Sequence, residues 1–231
     1  MSTGEQVVTR LSVVMPALNE AAGIAQTLQR LAPWRARGVE VIVVDGGSQD
    51  GTAHRAAAGA DRVLDGPRSR ARQMNAGAAV AQGQVLLFLH ADTQLPAQAD
   101  RLIEQALSAG RVWGRFDVRI EGRSPMLRLV AALMNWRSRA SGIATGDQAI
   151  FVRADVFRQL GGYADQPLME DIELSRRLRA LSNPACLRQR VQTSGRRWQQ
   201  HGVWRTVWLM WRLRWRYWRG ASPEVLARAY R

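Results

Sequence analysis

Three places in the chain put carboxylates where chemistry could be done. The first is Asp45, which ends the run "VEVIVVD" and is followed by two glycines that let a ligand approach the backbone. The second is "VLLFLHAD", in which the apolar residues Val85 to Leu89 run straight into His90, Ala91 and Asp92. The third is "MEDIEL", where Glu170 and Asp171 stand together at the start of a helical pattern. Polar groups just past a buried strand lie where open α/β sheets bind ligands. A carboxylate facing such a cleft can take a proton from an attacking hydroxyl. Each station also has a structural reading: Asp45 as a turn former, Asp92 as the cap of a helix beginning near Pro96, and the acidic pair as favourable charges at a helix start. Neighbouring helical residues point about 100° apart, so Glu170 and Asp171 cannot share one job.

The elements that must position these residues alternate in the front half. "LSVVMP" (Leu11 to Pro16), "VEVIVVD" (Val39 to Asp45), a short run around Arg62 to Leu64, and Val85 to Leu89 read as strands. Between them, Ile24, Leu28 and Leu31 keep helical spacing after the start signal Asn19-Glu20. "DGTAHRAAA" and "SRARQMNAGAAVA" read as two further helices. Such alternation predicts an α/β fold, a mostly parallel sheet with crossover helices. In the back half, a strand over Val112 to Ile120 precedes the apolar helix "MLRLVAALMNW". "DQAIFV" reads as a strand, "RADVFRQLGGY" as a short helix stopped by Gly161 and Gly162, and the helix after "MED" offers Ile172, Leu174, Leu178 and Leu181 for burial.

Composition narrows the class. With 231 residues, 46% hydrophobic and 23% charged, the chain can build one globular domain and is not a disordered tail. The single Cys186 excludes an internal disulfide framework and a cysteine metal cage, and is read as core. The polar opening "MSTGEQVVTR" does not read as a secretory signal, and no window offers the apolar run of a membrane span. The net charge of +14 comes from 33 basic residues, all of them arginine. It favours anionic partners such as phosphates, nucleotides or an acidic membrane surface without singling out nucleic acid.

Taken in order and spacing, "VVMPALNE", "VVDGGSQDGT", "FLHADT", "GGY" and "MEDIEL" resemble the family 2 glycosyltransferases with the GT-A fold. The resemblance runs from about Leu11 to Trp198 and extends to "RARQMNAG", "GDQAIFV" and "SGRRW", segments of a small bacterial subgroup. It implies a catalytic domain over residues 1–200, with a nucleotide-binding front half over about 11–95, an acceptor-side half over about 96–200, and a helical extension over 201–231. Within it, Asp45 would bind the base or ribose of a nucleotide sugar, UDP favoured, in a pocket lined by Pro16, Asn19, Glu20 and Ala91. Arg70 and Asn75 would also contact the nucleotide. The family's Asp-x-Asp metal motif reads His90-Ala91-Asp92 here, which makes Asp92 the ligand for Mg²⁺ or Mn²⁺ and leaves His90 to bind metal, contact ribose or pack. Asp171 matches the catalytic base of inverting transfer, and Glu170 becomes structural or acceptor-facing. Arg196 and Arg197 would grip the diphosphate, with His201 an additional metal candidate that also reads as an inert surface histidine.

Two rival functions predict other features. A nucleotidyltransferase generally needs a basic, glycine-rich loop after its first strand, and "PALNEAAG" has no basic residue. A non-catalytic basic protein binding nucleic acid or anionic lipid would not keep carboxylates around a cleft, so no nucleic-acid partner is expected. The final feature is "WRTVWLMWRLRWRYWRG". Its Trp204, Trp208, Trp211, Trp215 and Trp218 fall within an arc of about 80° on one helix face. Arg205, Arg212, Arg216 and Arg219 flank the arc, while Leu209, Met210 and Leu213 lie opposite. The arginine and tryptophan face suits an anionic membrane surface or a homodimer, and the expected location is cytoplasmic, peripheral on the inner face of the cell membrane. The acceptor is then a lipid-linked or amphipathic molecule.

Overall fold

The computed structural model describes residues 11–230, apart from the side chain of Arg197. The opening segment "MSTGEQVVTR" and the Arg197 assignment therefore lie outside the described residues. Strands β1 (Leu11–Ala17), β2 (Glu40–Asp45), β3 (Arg62–Asp65) and β4 (Val85–Phe88) are parallel, with α1 (Ile24–Arg35), α2 (Thr52–Ala57) and α3 (Arg70–Val80) as crossovers. The chain steps outward from β1 to β2 to β3, then returns to place β4 on the other side of β1. That reversal opens a crevice at the carboxyl ends of β1 and β4, where doubly wound sheets bind nucleotides.

Apolar runs without alternation form these strands because both faces are covered. Val13, Met15, Val41, Val43 and Leu87 pack on the α1 side, whereas Val14, Ile42, Val44, Leu86 and Phe88 pack against Ala71, Met74 and Ala78 of α3. Gly77 explains the small residues of α3: a Cβ there would lie 2.5 Å from Val14 Cγ1. Any side chain at this position would lift α3 off the sheet.

The back half extends the sheet as a mixed one. After β5 (Thr93–Gln94) and α4 (Ala99–Ser108) come β6 (Trp113–Ile120), α5 (Met126–Ser141) and a tight turn over Gly146–Gln148. They are followed by β7 (Phe151–Arg153), α6 (Ala154–Gln159), α7 (Glu170–Leu181) and β8 (Ala185–Thr193). β7 runs antiparallel to both β4 and β6, β6 is parallel to β8, and the order is β3-β2-β1-β4-β7-β6-β8-β5. Helix α8 (Arg196–His201) leads into α9 (Val203–Trp218) and α10 (Pro223–Tyr230), which pack at the start of α7 and bury Leu213 and Leu226 with Met169.

Several expectations are corrected. "DQAIFV" is not one strand: the Gln148 carboxamide accepts the Thr145 N–H at 3.1 Å and winds Asp147 and Gln148 into the turn, leaving only the end of the run to pair. Leu181 is half exposed because α7 overshoots the core at its last turn. Cys186 is only half-buried, on β8. Asp92 caps no helix, since α4 starts at Ala99.

Candidate active site

The loops leaving β1 and β2 are laced together before they meet any ligand. Asn19 adopts a positive φ of 54°, and its side-chain oxygen accepts the Gln49 N–H while the Asn19 N–H donates to the Ser48 hydroxyl. Asp45 is buried; one carboxylate oxygen accepts from the N–H groups of Gly47 and Ser48 at 3.1 and 2.8 Å, and the other has no partner. Gln73 of α3 donates to the Ala17 and Val44 carbonyls and so fixes the helix to both strand ends. These contacts frame a cavity of about 690 Å³ whose walls include Pro16, Ala17 and Glu20 on one side.

The end of β4 forms the floor. Thr27 of α1 donates to the Ala91 carbonyl at 2.7 Å, holding the His90-Ala91-Asp92 segment in place. His90 Nδ1 lies 3.3 Å from an Asp147 carboxylate oxygen, and its Nε2 is buried without a partner. Gly146 is pressed against that ring, where a Cβ would come 2.6 Å from Nε2. Asp92 faces the cavity 3.6 Å from the Arg196 guanidinium, which donates to both Glu20 oxygens at 2.8 and 3.0 Å. Arg196 thus clips the β4 end to the β1 loop.

The third wall is the start of α7, where Met169 takes a positive φ of 66° and turns the chain into the helix. Glu170 and Asp171 diverge as their helical offset requires. Glu170 is buried 3.6 Å from Arg70. Burial pushes its carboxyl above the ordinary range, Asp171 adds to that, and Arg70 opposes it. Asp171 lines the cavity and accepts the Gly146 N–H at 2.8 Å. Burial works against ionisation of Asp147, yet His90, Arg70 and Arg214 together hold its carboxyl below the ordinary range. Met210, Leu213 and Arg214 of α9 and Tyr230 of α10 close the remaining side.

Most residues singled out in the sequence therefore meet at one cavity: Pro16, Glu20, Arg70, His90, Ala91, Asp92, Glu170, Asp171, Arg196 and His201 all line it. Asn19 and Asp45 shape the adjoining loops. Asn75 is used differently from the expected nucleotide contact. Its carboxamide donates to the Tyr163 carbonyl and accepts the Tyr163 N–H, which spends it on the turn after α6. Asp147 and Arg214 went unnoticed because each lies in a segment read for its strand or helix pattern, and only the fold brings them to the cavity. Among the described residues no group of three or more histidine, cysteine or acidic side chains is disposed to hold a metal by itself.

The sequence profile of glycosyl transferase family 2 matches residues 12–159, and the chain belongs to that family. The succinoglycan biosynthesis protein ExoA of Rhizobium meliloti (strain 1021) is 30% identical over 200 residues, covering 77% of this chain and 60% of its own length. An undecaprenyl-phosphate 4-deoxy-4-formamido-L-arabinose transferase of Pseudomonas paraeruginosa (strain DSM 24068 / PA7) is 31% identical over 158 residues, covering 62% of this chain and 46% of its own. The chain thus spans roughly half to three fifths of these curated relatives. Among solved structures, the mannosyltransferase PcManGT from Pyrobaculum calidifontis in complex with GDP-Man and Mn²⁺ superposes with a TM-score of 0.68 at 18% identity, covering 96% of this chain and 68% of that one. That likeness is one of fold, and the fold is of the GT-A type.

Proposed function

We propose that this glycosyltransferase moves a sugar from a nucleoside diphosphate donor, UDP favoured, to a lipid-linked acceptor at an anionic membrane surface, with inversion. The observation that carries the reading is the convergence of Glu20, Arg70, Asp92, Asp171 and Arg196 on one cavity at the carboxyl ends of β1 and β4. The nucleotide would enter beside Pro16 and the unpartnered oxygen of Asp45, with its diphosphate between Arg70 and Arg196. Asp171 would take the proton of the attacking hydroxyl, held in place by its bond from Gly146. Displacement in one step needs no protein nucleophile.

Asp92 is the residue that would hold Mg²⁺ or Mn²⁺, whose chemistry is to neutralise charge growing on the departing diphosphate. The chain fits this role in part: Asp92 faces the cavity, and the partnerless Nε2 of His90 is a second available donor atom. The remaining coordination would come from the donor's phosphates, as is usual for Mg²⁺-type sites. Among the relatives, the one named as an undecaprenyl-phosphate transferase favours a membrane-borne acceptor.

The surface supports that location. Trp204, Trp208, Trp211, Trp215 and Trp218 are 59–80% exposed, and Arg212 and Arg219 stack over Trp208 and Trp215 at 5.1 and 5.5 Å. Beside α9, helix α5 exposes Leu129, Leu133 and Trp136 on one face. Neither helix contains an acidic residue, so the combined face suits anionic headgroups. No helix among the described residues is long and apolar enough to cross a membrane.

The deciding experiment is calorimetric titration of UDP and GDP with and without Mn²⁺, on the parent and on Asp92→Asn. Mn²⁺ should strengthen nucleotide binding in the parent and lose that effect in the variant. Unchanged Mn²⁺ dependence in Asp92→Asn would remove Asp92 from the metal site. Absence of binding by either nucleotide would sink the donor reading.

A further inference from the structure

We propose that a smaller cavity between α9 and α10 is a headgroup site for an anionic glycerophospholipid, seated beside the catalytic cavity. The inference rests on the membrane reading above for the source of the phosphate, and on the cavity's own side chains for its recognition. The space measures about 290 Å³, against about 690 Å³ for the catalytic cavity. Arg205, Trp208, Leu209 and Arg212 line it from α9, and Ala229 and Tyr230 line it from α10.

One face of α9 presents the first four together, because they stand three, four and seven positions apart. Arg205 and Arg212 are two turns apart, about 10 Å along the helix axis, with Leu209 between them. Both arginines are exposed, and neither is hydrogen-bonded or ion-paired to another described residue. No acidic side chain lines the cavity. Arg212 lies over the Trp208 ring, 5.1 Å from its centre, so the ring holds the guanidinium while its N–H groups stay free for an acceptor.

A phosphodiester supplies the missing acceptor, since its oxygens match the forked N–H pairs of guanidinium. Leu209, Ala229 and the Trp208 ring give the first carbons of the acyl chains an apolar surface. Trp208 belongs to the exposed tryptophan stripe, so the cavity borders the face given to the bilayer. The site is distinct from the donor's: Arg205 and Arg212 do not line the catalytic cavity, and Arg70 and Arg196 do not line this one. His201 and Tyr230 line both and form the partition. A lipid bound here holds the catalytic cavity against the membrane in one fixed orientation.

The test uses the whole chain and short lipids below their micellar concentration. Dihexanoyl phosphatidylglycerol, dihexanoyl phosphatidylcholine, inorganic phosphate and UDP are each titrated calorimetrically. Phosphatidylglycerol should bind one-to-one and at least about tenfold more tightly than phosphatidylcholine, whose ammonium group would face two guanidinium groups. Arg205→Met and Arg212→Met should each remove about that factor, with UDP affinity held within about twofold. Arg219 lies over Trp215 in the same way, at 5.5 Å, but does not line the cavity, so Arg219→Met should leave the short lipid's affinity unchanged. Equal loss in Arg219→Met would overturn the site in favour of diffuse charge. Inorganic phosphate binding as tightly as phosphatidylglycerol would overturn the lipid as occupant, and parallel loss of UDP would give the arginines to the donor. A chain that sediments with anionic vesicles yet treats the two short lipids alike overturns the site and leaves the membrane reading standing. One that binds phosphatidylglycerol through Arg205 and Arg212 but sediments with no vesicle keeps the site and discards that reading.

Discussion

Glu170 and Asp171 show how one peptide bond can separate two electrostatic environments. Asp171 reaches the cavity with a carboxylate positioned by a backbone N–H, the requirement for a general base. Asp171→Asn retains an oxygen for Gly146 but cannot take a proton, so turnover should fall by about 10²- to 10⁴-fold with nucleotide affinity essentially unchanged. Single-turnover kinetics with titrated donor would check both halves. Glu170 should behave in the opposite way. Its pKa is raised above the ordinary 4.5 by burial, so the folded state holds the proton more tightly than the unfolded chain. Stability from this group is intact below that ordinary value and is lost as pH rises through the folded value. Glu170→Gln cannot titrate there, and its melting temperature should gain on the parent's as pH climbs; a constant or shrinking gap would contradict the assignment. The carboxylate stations were legible in the sequence because each follows a strand or opens a helix. Arg214 and Asp147 were not, because only the packing of distant segments brings them to the cavity.

At the scale of elements, the parallel front half followed directly from its pattern: apolar runs of strand length, separated by capped helices, leave little alternative. The mixed back half did not. β8 reads "ACLRQRVQT", and only Val191 and Thr193 of its residues are buried, so the alternation that would announce a strand is nearly absent. It pairs because β6 offers a parallel edge, including a register shift between Phe116 and Asp117. Asn75 shows a related limit, since its position in "RARQMNAG" suggested a ligand while its carboxamide serves the backbone of Tyr163. Asn75→Ala should cost about 1–3 kcal/mol in urea unfolding, because a part-buried N–H and carbonyl lose their partner. Nucleotide affinity should hardly move. A large loss of affinity without loss of stability would return Asn75 to the ligand.

For the molecule as a whole, the positive charge is not spread as a uniform coat. Arg35, Arg37, Arg72, Arg153 and Arg177 are ion-paired to carboxylates. Helices α5 and α9 carry no acidic residue of their own, Arg139 alone of their arginines is ion-paired among the described residues, to Asp117, and the exposed tryptophans lie there too. The tryptophan stripe was visible in the sequence from its spacing. The companion stripe of α5 was not, since "MLRLVAALMNW" reads equally well as a buried helix. Co-sedimentation of the parent with vesicles containing anionic lipid should be strong at low salt and reduced at moderate salt. Trp211→Ser with Trp215→Ser should abolish it, and neutral vesicles should bind weakly. A concentration-dependent dimer with no vesicle binding would give this face to self-association instead.

The closing of the cavity by α9 and α10 also fixes when the site can exist. A ribosome delivers all eight strands before it reaches Val203, so the sheet and its carboxylates can be in place while one wall is missing. Met169, buried in the finished protein, and Leu168 and Ile172 beside it are then uncovered, because Leu213 and Leu226 pack on them from segments still to be made. At about 5–20 residues per second this open stage lasts on the order of seconds. During it the nascent chain holds acids and arginines facing solvent, and the cavity is complete only with the arrival of the helices that carry the exposed tryptophans.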